Sequence, residues 1–353
     1  MKIKLAILEK DKGYLNRVVT AFGARYADKL EIYSFTDYQV AMDTLNDAKI
    51  DVLIAADSFD VEVEKLPRRC GLAYFVDYAG IESVNGQVAI CKFQKADLIY
   101  KQILSIYSEN AGNVSGLKLS NDACHVVAFA TPSGGAGSST MAAACAMRYA
   151  SQGKKVLYLN LEKFGSADCF FKGEGHMDMS DVIFALKSKK ANLALKLESC
   201  ARQDYCGVYY FAASKLALDM MELGTEEILR LLSELEVNGS YDVIILDMDF
   251  ALTKDMLNIY RRAHGIVVVG DGSEISNAKI RRAYSALNTL EQKQDAPLTN
   301  RLGLIYNKFS NKISAVMEDI PMRNLGGAPR FEQGTLEQIL RQLSNLDAFD
   351  KIF

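Results

Sequence analysis

Val126-Val127-Ala128-Phe129-Ala130-Thr131-Pro132-Ser133-Gly134-Gly135-Ala136-Gly137-Ser138-Ser139-Thr140, running straight into Met141-Ala142-Ala143-Ala144-Cys145-Ala146-Met147, decides how the rest of the chain is read. An apolar run of strand length breaks into small residues that tolerate positive φ and close backbone approach, then into an Ala-rich segment of high helix propensity. The pattern predicts strand, tight loop, helix. Such a loop aims free backbone N–H groups and the positive end of a helix dipole at one point, which is what holding a phosphate chain requires. The strict phosphate-loop pattern, G-x-x-x-x-G-K-[ST], is not met. Pro132 stands at its first glycine, Ser138 at its lysine and Ser139 at its hydroxyl.

The 353 residues exceed one ordinary core and predict two domains. A formal charge of -3 gives no general pull toward nucleic acid or anionic lipid. The absence of a long apolar run or a signal pattern predicts a cytoplasmic protein. Seven scattered cysteines fit reduced core thiols, and three widely separated histidines do not offer paired metal-ligand spacing.

Upstream of the loop, strands are expected at residues 3–8, 30–34, 51–55, 72–76 and 87–91, with helical spacing at 11–27, 37–46 and 95–108. This alternation predicts a doubly wound parallel sheet over residues 1–110, followed by a Gly/Ser/Asn-rich linker at 111–121 and a second α/β domain at 122–353. The first domain looks like a response-regulator receiver. Its chemistry would need acids for magnesium, a nucleophilic aspartate, a Ser or Thr, and a lysine. Glu9, Asp11 and Lys92 stand in suitable places, but Ala56 falls where the aspartate belongs, Asp57 comes one place late, and Asp77 replaces the Ser or Thr. A degenerate, non-phosphorylated receiver is the expected form.

In the second domain a strand at 156–162 ends in Asn160 and Glu162. The run Tyr241-Asp242-Val243-Ile244-Ile245-Leu246-Asp247 is an apolar strand ending in an acid, the arrangement in which a carboxylate binds magnesium directly or through water. Asp249 is a weaker candidate for that water shell. Ser180 or Asp181 is expected to cap a helix, residues 206–212 read as a strand, and 226–235 as an amphipathic helix. Lys279, Arg281 and Arg282 read as a solvated helix face or, alternatively, a nucleic-acid patch. A strand at 302–306 leads into Asn307-Lys308, and Gly326-Gly327-Ala328-Pro329-Arg330-Phe331 precedes a closing helix.

Ser133 to Thr140 resembles the deviant Walker A loop, K-G-G-x-G-K-[ST]-[ST], of the MinD/ParA ATPases, without either of its lysines. Behind a receiver-like domain, a lysine-poor loop is similar to the TadZ/CpaE branch, which localises type IVb (Flp) pilus and tight-adherence secretion machinery. The resemblance implies two doubly wound parallel-sheet domains, a flavodoxin-like receiver followed by a P-loop MinD/ParA-type domain. It implies ATP and Mg2+ as ligands, cradled by Ser133, Gly134, Gly135, Ala136, Gly137, Ser138, Ser139 and Thr140, with Ser139 and Asp247 on the metal. Glu162 takes the place of an aspartate that positions attacking water, and its alternative role is a charge at a strand end. Asn307 would read the adenine, and Pro329 and Arg330 would border it. The implied protein is a homodimer working with other pilus or secretion proteins, at a cell pole or the inner face of the membrane, with weak or no hydrolysis, no stable DNA binding and no membrane anchor of its own. The alternatives are a phosphorylation-controlled response regulator, a ParA-type DNA-partition ATPase, and a scaffold that binds nothing.

Overall fold

The computed structural model describes residues 2–110, 124–188, 192–238, 240–294 and 297–353. The expected linker at 111–121 lies outside them. The chain begins β1 (Ile3–Leu8), α1 (Lys12–Arg25), β2 (Leu30–Phe35), α2 (Tyr38–Ala48), β3 (Val52–Ala56), β4 (Gly71–Val76), β5 (Ser83–Val84), β6 (Gln87–Cys91) and α3 (Ala96–Asn110). It continues with β7 (His125–Ala130), α4 (Ser138–Ser151), β8 (Val156–Asn160), α5 (Ala167–Phe170), α6 (Met179–Lys187), α7 (Leu193–Cys200), β9 (Arg202–Gln203) and β10 (Tyr209–Tyr210). Then come α8 (Ala217–Met221), α9 (Thr225–Val237), β11 (Val243–Asp247), α10 (Lys254–Tyr260), β12 (Gly265–Gly270), α11 (Glu274–Gln294), β13 (Leu302–Phe309), β14 (Arg323–Pro329) and α12 (Leu336–Leu343).

These elements fall into two compact units, one holding the N-terminal residues together with segment 188–200 and the other the rest. In the first, a six-stranded sheet has the order β2-β1-β3-β4-β6-β5. All neighbours are parallel except the short β5, which pairs antiparallel with β6 at the edge. Asp11 caps α1 by accepting from the N–H of Gly13 and Tyr14, at 2.8 and 3.0 Å. Where a receiver would run a helix between its last two strands, this chain makes a tight hairpin instead. Asn85 and Gly86 both have positive φ there, the requirement of a two-residue turn. Segment α7 also belongs to this unit, and its apolar periodicity by itself does not announce that. Its Leu193, Leu197 and Cys200 are buried, and the buried Lys196 donates its ammonium to Ser105 Oγ on α3 at 2.7 Å and pairs with Glu109 at 3.0 Å.

In the second unit an eight-stranded sheet has the order β14-β13-β12-β7-β11-β8-β10-β9, parallel throughout except for β9 against β10. Parallel strands are covered on both faces and read as unbroken apolar runs. Accordingly β11, VIILD, is wholly buried between β7 and β8. The small side chains of α4 let it lie close on these strands, with Met141 to Ala146 completely buried. Because all the central strands run the same way, the ends of β7, β8, β11 and β13 collect at one edge of the sheet, where ligands of open α/β sheets bind. Residues 206–212 were expected to form one strand. Only Tyr209 and Tyr210 pair with β8, because the preceding segment turns back through Gly207 at φ 90. Helix α6 is capped not by Ser180 or Asp181 but by Asp178, whose Oδ1 accepts from Ser180 N–H at 2.8 Å while Asp181 Oδ2 accepts from Asp178 N–H.

Candidate functional site

The acidic corner of the first unit is closed by its own ions. Glu9, directly after β1 and only 3% exposed, pairs with Lys92 at 2.9 Å, and Asp77 after β4 pairs with the same ammonium at 3.1 Å. Burial alone would lower the pKa of Lys92, but its bonds to Glu9 and Asp77 hold it above the ordinary lysine value. The β1–β3 register sets Leu8 beside Ala55, so the residue flanking Glu9 is Ala56, a buried methyl where a receiver needs its nucleophile. Asp57 follows it, exposed, with its N–H on the Phe75 carbonyl. Incubation with acetyl phosphate should therefore leave the intact mass of the protein unchanged. A stoichiometric gain of one phosphoryl group, lost in Asp57→Asn, would show this corner to be a working receiver.

The second unit holds the other site. Thr131, just past β7, donates its hydroxyl to the Val269 carbonyl at 2.6 Å and accepts from the Ser133 N–H at 3.0 Å, which anchors the start of the loop to β12. The buried Ser133 accepts at its carbonyl from the Ala136 N–H. Gly135 and Gly137 have φ of 80 and 88, the left-handed region that side chains resist. Gly137 is the N-cap of α4 and offers no side-chain acceptor, so the first-turn amides of Ser138, Ser139 and Thr140 stay without an internal partner. A Cβ built on Gly134 or Gly135 would meet nothing within 4 Å. One side of the loop is thus an open cradle rimmed by N–H groups.

The carboxylates lie below it. Asp247, at the end of β11 and fully buried, accepts from the Tyr158 hydroxyl at 2.6 Å and from Asn160 Nδ2 at 2.9 Å, both on its Oδ2. Its Oδ1 is buried with no partner, as is the Ser138 hydroxyl oxygen. Burial, and next the negative charge of Glu162, push the Asp247 carboxyl up to about 7 against the bonds from Tyr158 and Asn160. Ser139 donates its hydroxyl to Glu162 Oε1 at 3.2 Å, and Asn160 Nδ2 lies 3.0 Å from Glu162 Oε2. Tyr158 and Asn160 alternate on one face of β8, which ends at Asn160 rather than at the expected 162, and Glu162 just beyond joins them through Asn160 in one polar row toward Asp247.

This donor set fits a magnesium ion. The carboxylates of Asp247 and Glu162, the first with its Oδ1 unpartnered, and the Ser139 hydroxyl are hard oxygen donors of the kind magnesium takes. Among the described residues no group of three or more His, Cys, Asp or Glu could hold a metal alone. A magnesium ion here would have to share its shell with water and phosphate, its usual habit.

From β13, the buried Asn307 donates Nδ2 to the Ala136 carbonyl at 2.9 Å, and Lys308 donates Nζ to the Gly135 carbonyl at 2.8 Å. Pro329 pairs with Phe309 across β13–β14, and the Arg330 N–H donates to the Phe309 carbonyl, so both sit at the same sheet edge with exposed side chains. A run of hydrogen bonds thus leads from Ser139 of the loop through Glu162 and Asn160 to Asp247, and Asn307 bonds the loop at Ala136, whereas Pro329 and Arg330 are held at Phe309 on β13. Asp249 accepts from the Lys163 N–H, outside the row around Asp247. Sequence reasoning missed Tyr158, the bridging role of Asn160, and Lys308. The first two had a signal in the period-two spacing back from Glu162. Lys308 had none, because its approach depends on the irregular register between β13 and β14.

Compared with known proteins, residues 1–108 match the family model described as the TadZ-like receiver domain. No curated protein sequence matches the chain. Among solved structures, a ParA family ATPase from Chlorobium tepidum TLS aligns with a TM-score of 0.52 at 19% identity, covering 65% of this chain and 96% of that one. The MinC:MinD cell division complex of Aquifex aeolicus aligns at 0.45 and 16%, covering 63% and 85%. A cobyrinic acid a,c-diamide synthase from Mycobacterium smegmatis, with bound ATP analog and magnesium, aligns at 0.45 and 16%, covering 63% and 93%. The first of these shows a shared fold. Among the described residues no helix is long and apolar enough to cross a membrane.

Proposed function

From an N-terminal domain that matches the TadZ-like receiver and a second unit with the fold of a ParA family ATPase, we propose an ATP-binding, dimerising localisation factor for the Flp/type IVb pilus (Tad) secretion machinery, with weak or no ATP hydrolysis. The observation that carries this reading is the open amide cradle of Gly134 to Thr140 set over the orphaned oxygen of Asp247. Ser139 and Asp247 would hold a magnesium ion, which would supply positive charge against the phosphates. The loop amides bind the triphosphate, Asn307, Pro329 and Arg330 line the base end, and Glu162, held by Ser139 and Asn160, faces the terminal phosphate as the group that orders water. Neither Ser133 nor Ser138 can place a positive charge against the transferring phosphoryl group, so hydrolysis suffers more than binding. The closed Glu9–Lys92–Asp77 corner leaves the receiver-like domain a docking surface rather than a phosphorylation switch. DNA binding is disfavoured because Arg281 is already paired with Asp319.

The test is binding, turnover and mass in Mg-ATP. Micromolar binding with a shift from monomer to dimer, and turnover far below one per second, is the expected result. Brisk hydrolysis, or no binding at all, contradicts the reading.

A further inference from the structure

We propose that Lys308 is a nucleotide-binding residue that supplies, from a different strand, the positive charge missing from the phosphate loop itself. The inference rests on the nucleotide reading above and adds a residue to it. Positions 133 and 138 are serines, and among the described residues Lys308 is the lysine or arginine whose side chain bonds the loop, through the Gly135 carbonyl at 2.8 Å.

The contact is built rather than incidental. Lys308 has φ 57, a left-handed conformation uncommon for a lysine, and it occupies the place where the β13–β14 register slips between Tyr306 and Phe309. The slip lets two consecutive residues face the same loop, where a regular strand would send them to opposite sides. Asn307, 4% exposed, fixes the neighbouring Ala136 carbonyl. Gly137 is packed so closely beneath the pair that an added Cβ would lie 2.4 Å from Asn307 Nδ2 and 3.8 Å from Lys308 Cε.

Two consequences follow from this clamp. Engaging the Gly135 and Ala136 carbonyls fixes their peptide planes, and with them the direction in which the loop's N–H groups point. In addition, an ammonium has three donors and Gly135 uses one, so a charged group with spare N–H bonds remains at the loop where a polyanion is to settle.

The experiment compares Mg-ATP affinity, by calorimetry on the full chain, for wild type, Lys308→Gln, Lys308→Ala and Lys308→Arg, at low and moderate salt. The expected result is a loss of at least tenfold in Lys308→Gln and Lys308→Ala, recovery to within about threefold in Lys308→Arg, and a weaker salt dependence in the two neutral variants. Melting temperatures without nucleotide identify any variant that has merely unfolded. Wild type binding with Lys308→Gln equally tight overturns this proposal and leaves the nucleotide reading standing. Loss in all three variants with unchanged salt dependence overturns it in favour of a shape requirement at the site. Failure of wild type to bind Mg-ATP overturns both.

Discussion

Replacing Gly137 by alanine should abolish Mg-ATP binding while leaving the protein folded. At φ 88 an L-residue is strained by about 1–2 kcal/mol. The new methyl would also stand 2.4 Å from Asn307 Nδ2, and Asn307 is buried with no room to retreat. Either the loop lifts or the Asn307 bond to Ala136 breaks, and an unmade buried hydrogen bond costs about 1–3 kcal/mol. The melting temperature should fall by several degrees, and affinity by about a hundredfold or more, as ~3 kcal/mol converts. Gly134→Ala is the control: its φ is not positive and its Cβ meets nothing within 4 Å, so apo stability should stay within about 0.5 kcal/mol of wild type. If Gly137→Ala binds Mg-ATP like wild type, the loop is not the nucleotide cradle.

Asp247→Asn should make the nucleotide-free protein more stable at alkaline pH and at the same time remove its response to Mg-ATP. In the folded chain burial and Glu162 raise the Asp247 carboxyl to about 7, whereas an unfolded aspartate titrates near 4. The folded state therefore binds the proton more tightly. The stability this contributes is fully present below about pH 4 and is lost progressively as pH rises through about 7. Some three pK units set a ceiling of about 4 kcal/mol, and coupling to Glu162 argues for roughly half of it. Asparagine keeps an acceptor for Tyr158 and carries no charge to bury. Melting scans in chelator should therefore show the variant gaining on wild type between pH 5 and 8.5, by several degrees in all. Adding Mg-ATP should raise the wild-type melting temperature and leave the variant unmoved. A stability gap that is the same at both ends of the pH range would mean that Asp247 is not the group being titrated.

Much of this was legible in the sequence. The run from Val126 to Met147 gave β7, the loop and α4, because an apolar strand, small φ-tolerant residues and an Ala-rich segment each have one physical use. The run ending in Asp247 gave β11 for a similar reason, since a strand covered on both faces has to be apolar to its last residue. The row Tyr158–Asn160–Glu162 was half legible: its spacing is in the sequence, but its convergence on Asp247 is a property of the β8–β11 register. The hairpin at Ser83–Val84 and the two-residue β9 and β10 were beyond pattern reading, because so short a segment carries no period. Lys308 shows the limit most clearly, as its importance comes from a register slip between two strands that look regular in composition.

The helix at Leu193–Cys200 changes what it means to make half of this protein. Its apolar side chains and Lys196 complete a unit whose other helices and strands end at Asn110, so on the ribosome the receiver-like domain stays unfinished until the phosphate loop has already been made. A truncated gene ending near Asn110 would leave Ser105 and Glu109 on α3 facing water, without the ammonium that bridges them. The N-terminal part is thus a discontinuous fold, and the two units have to be born together.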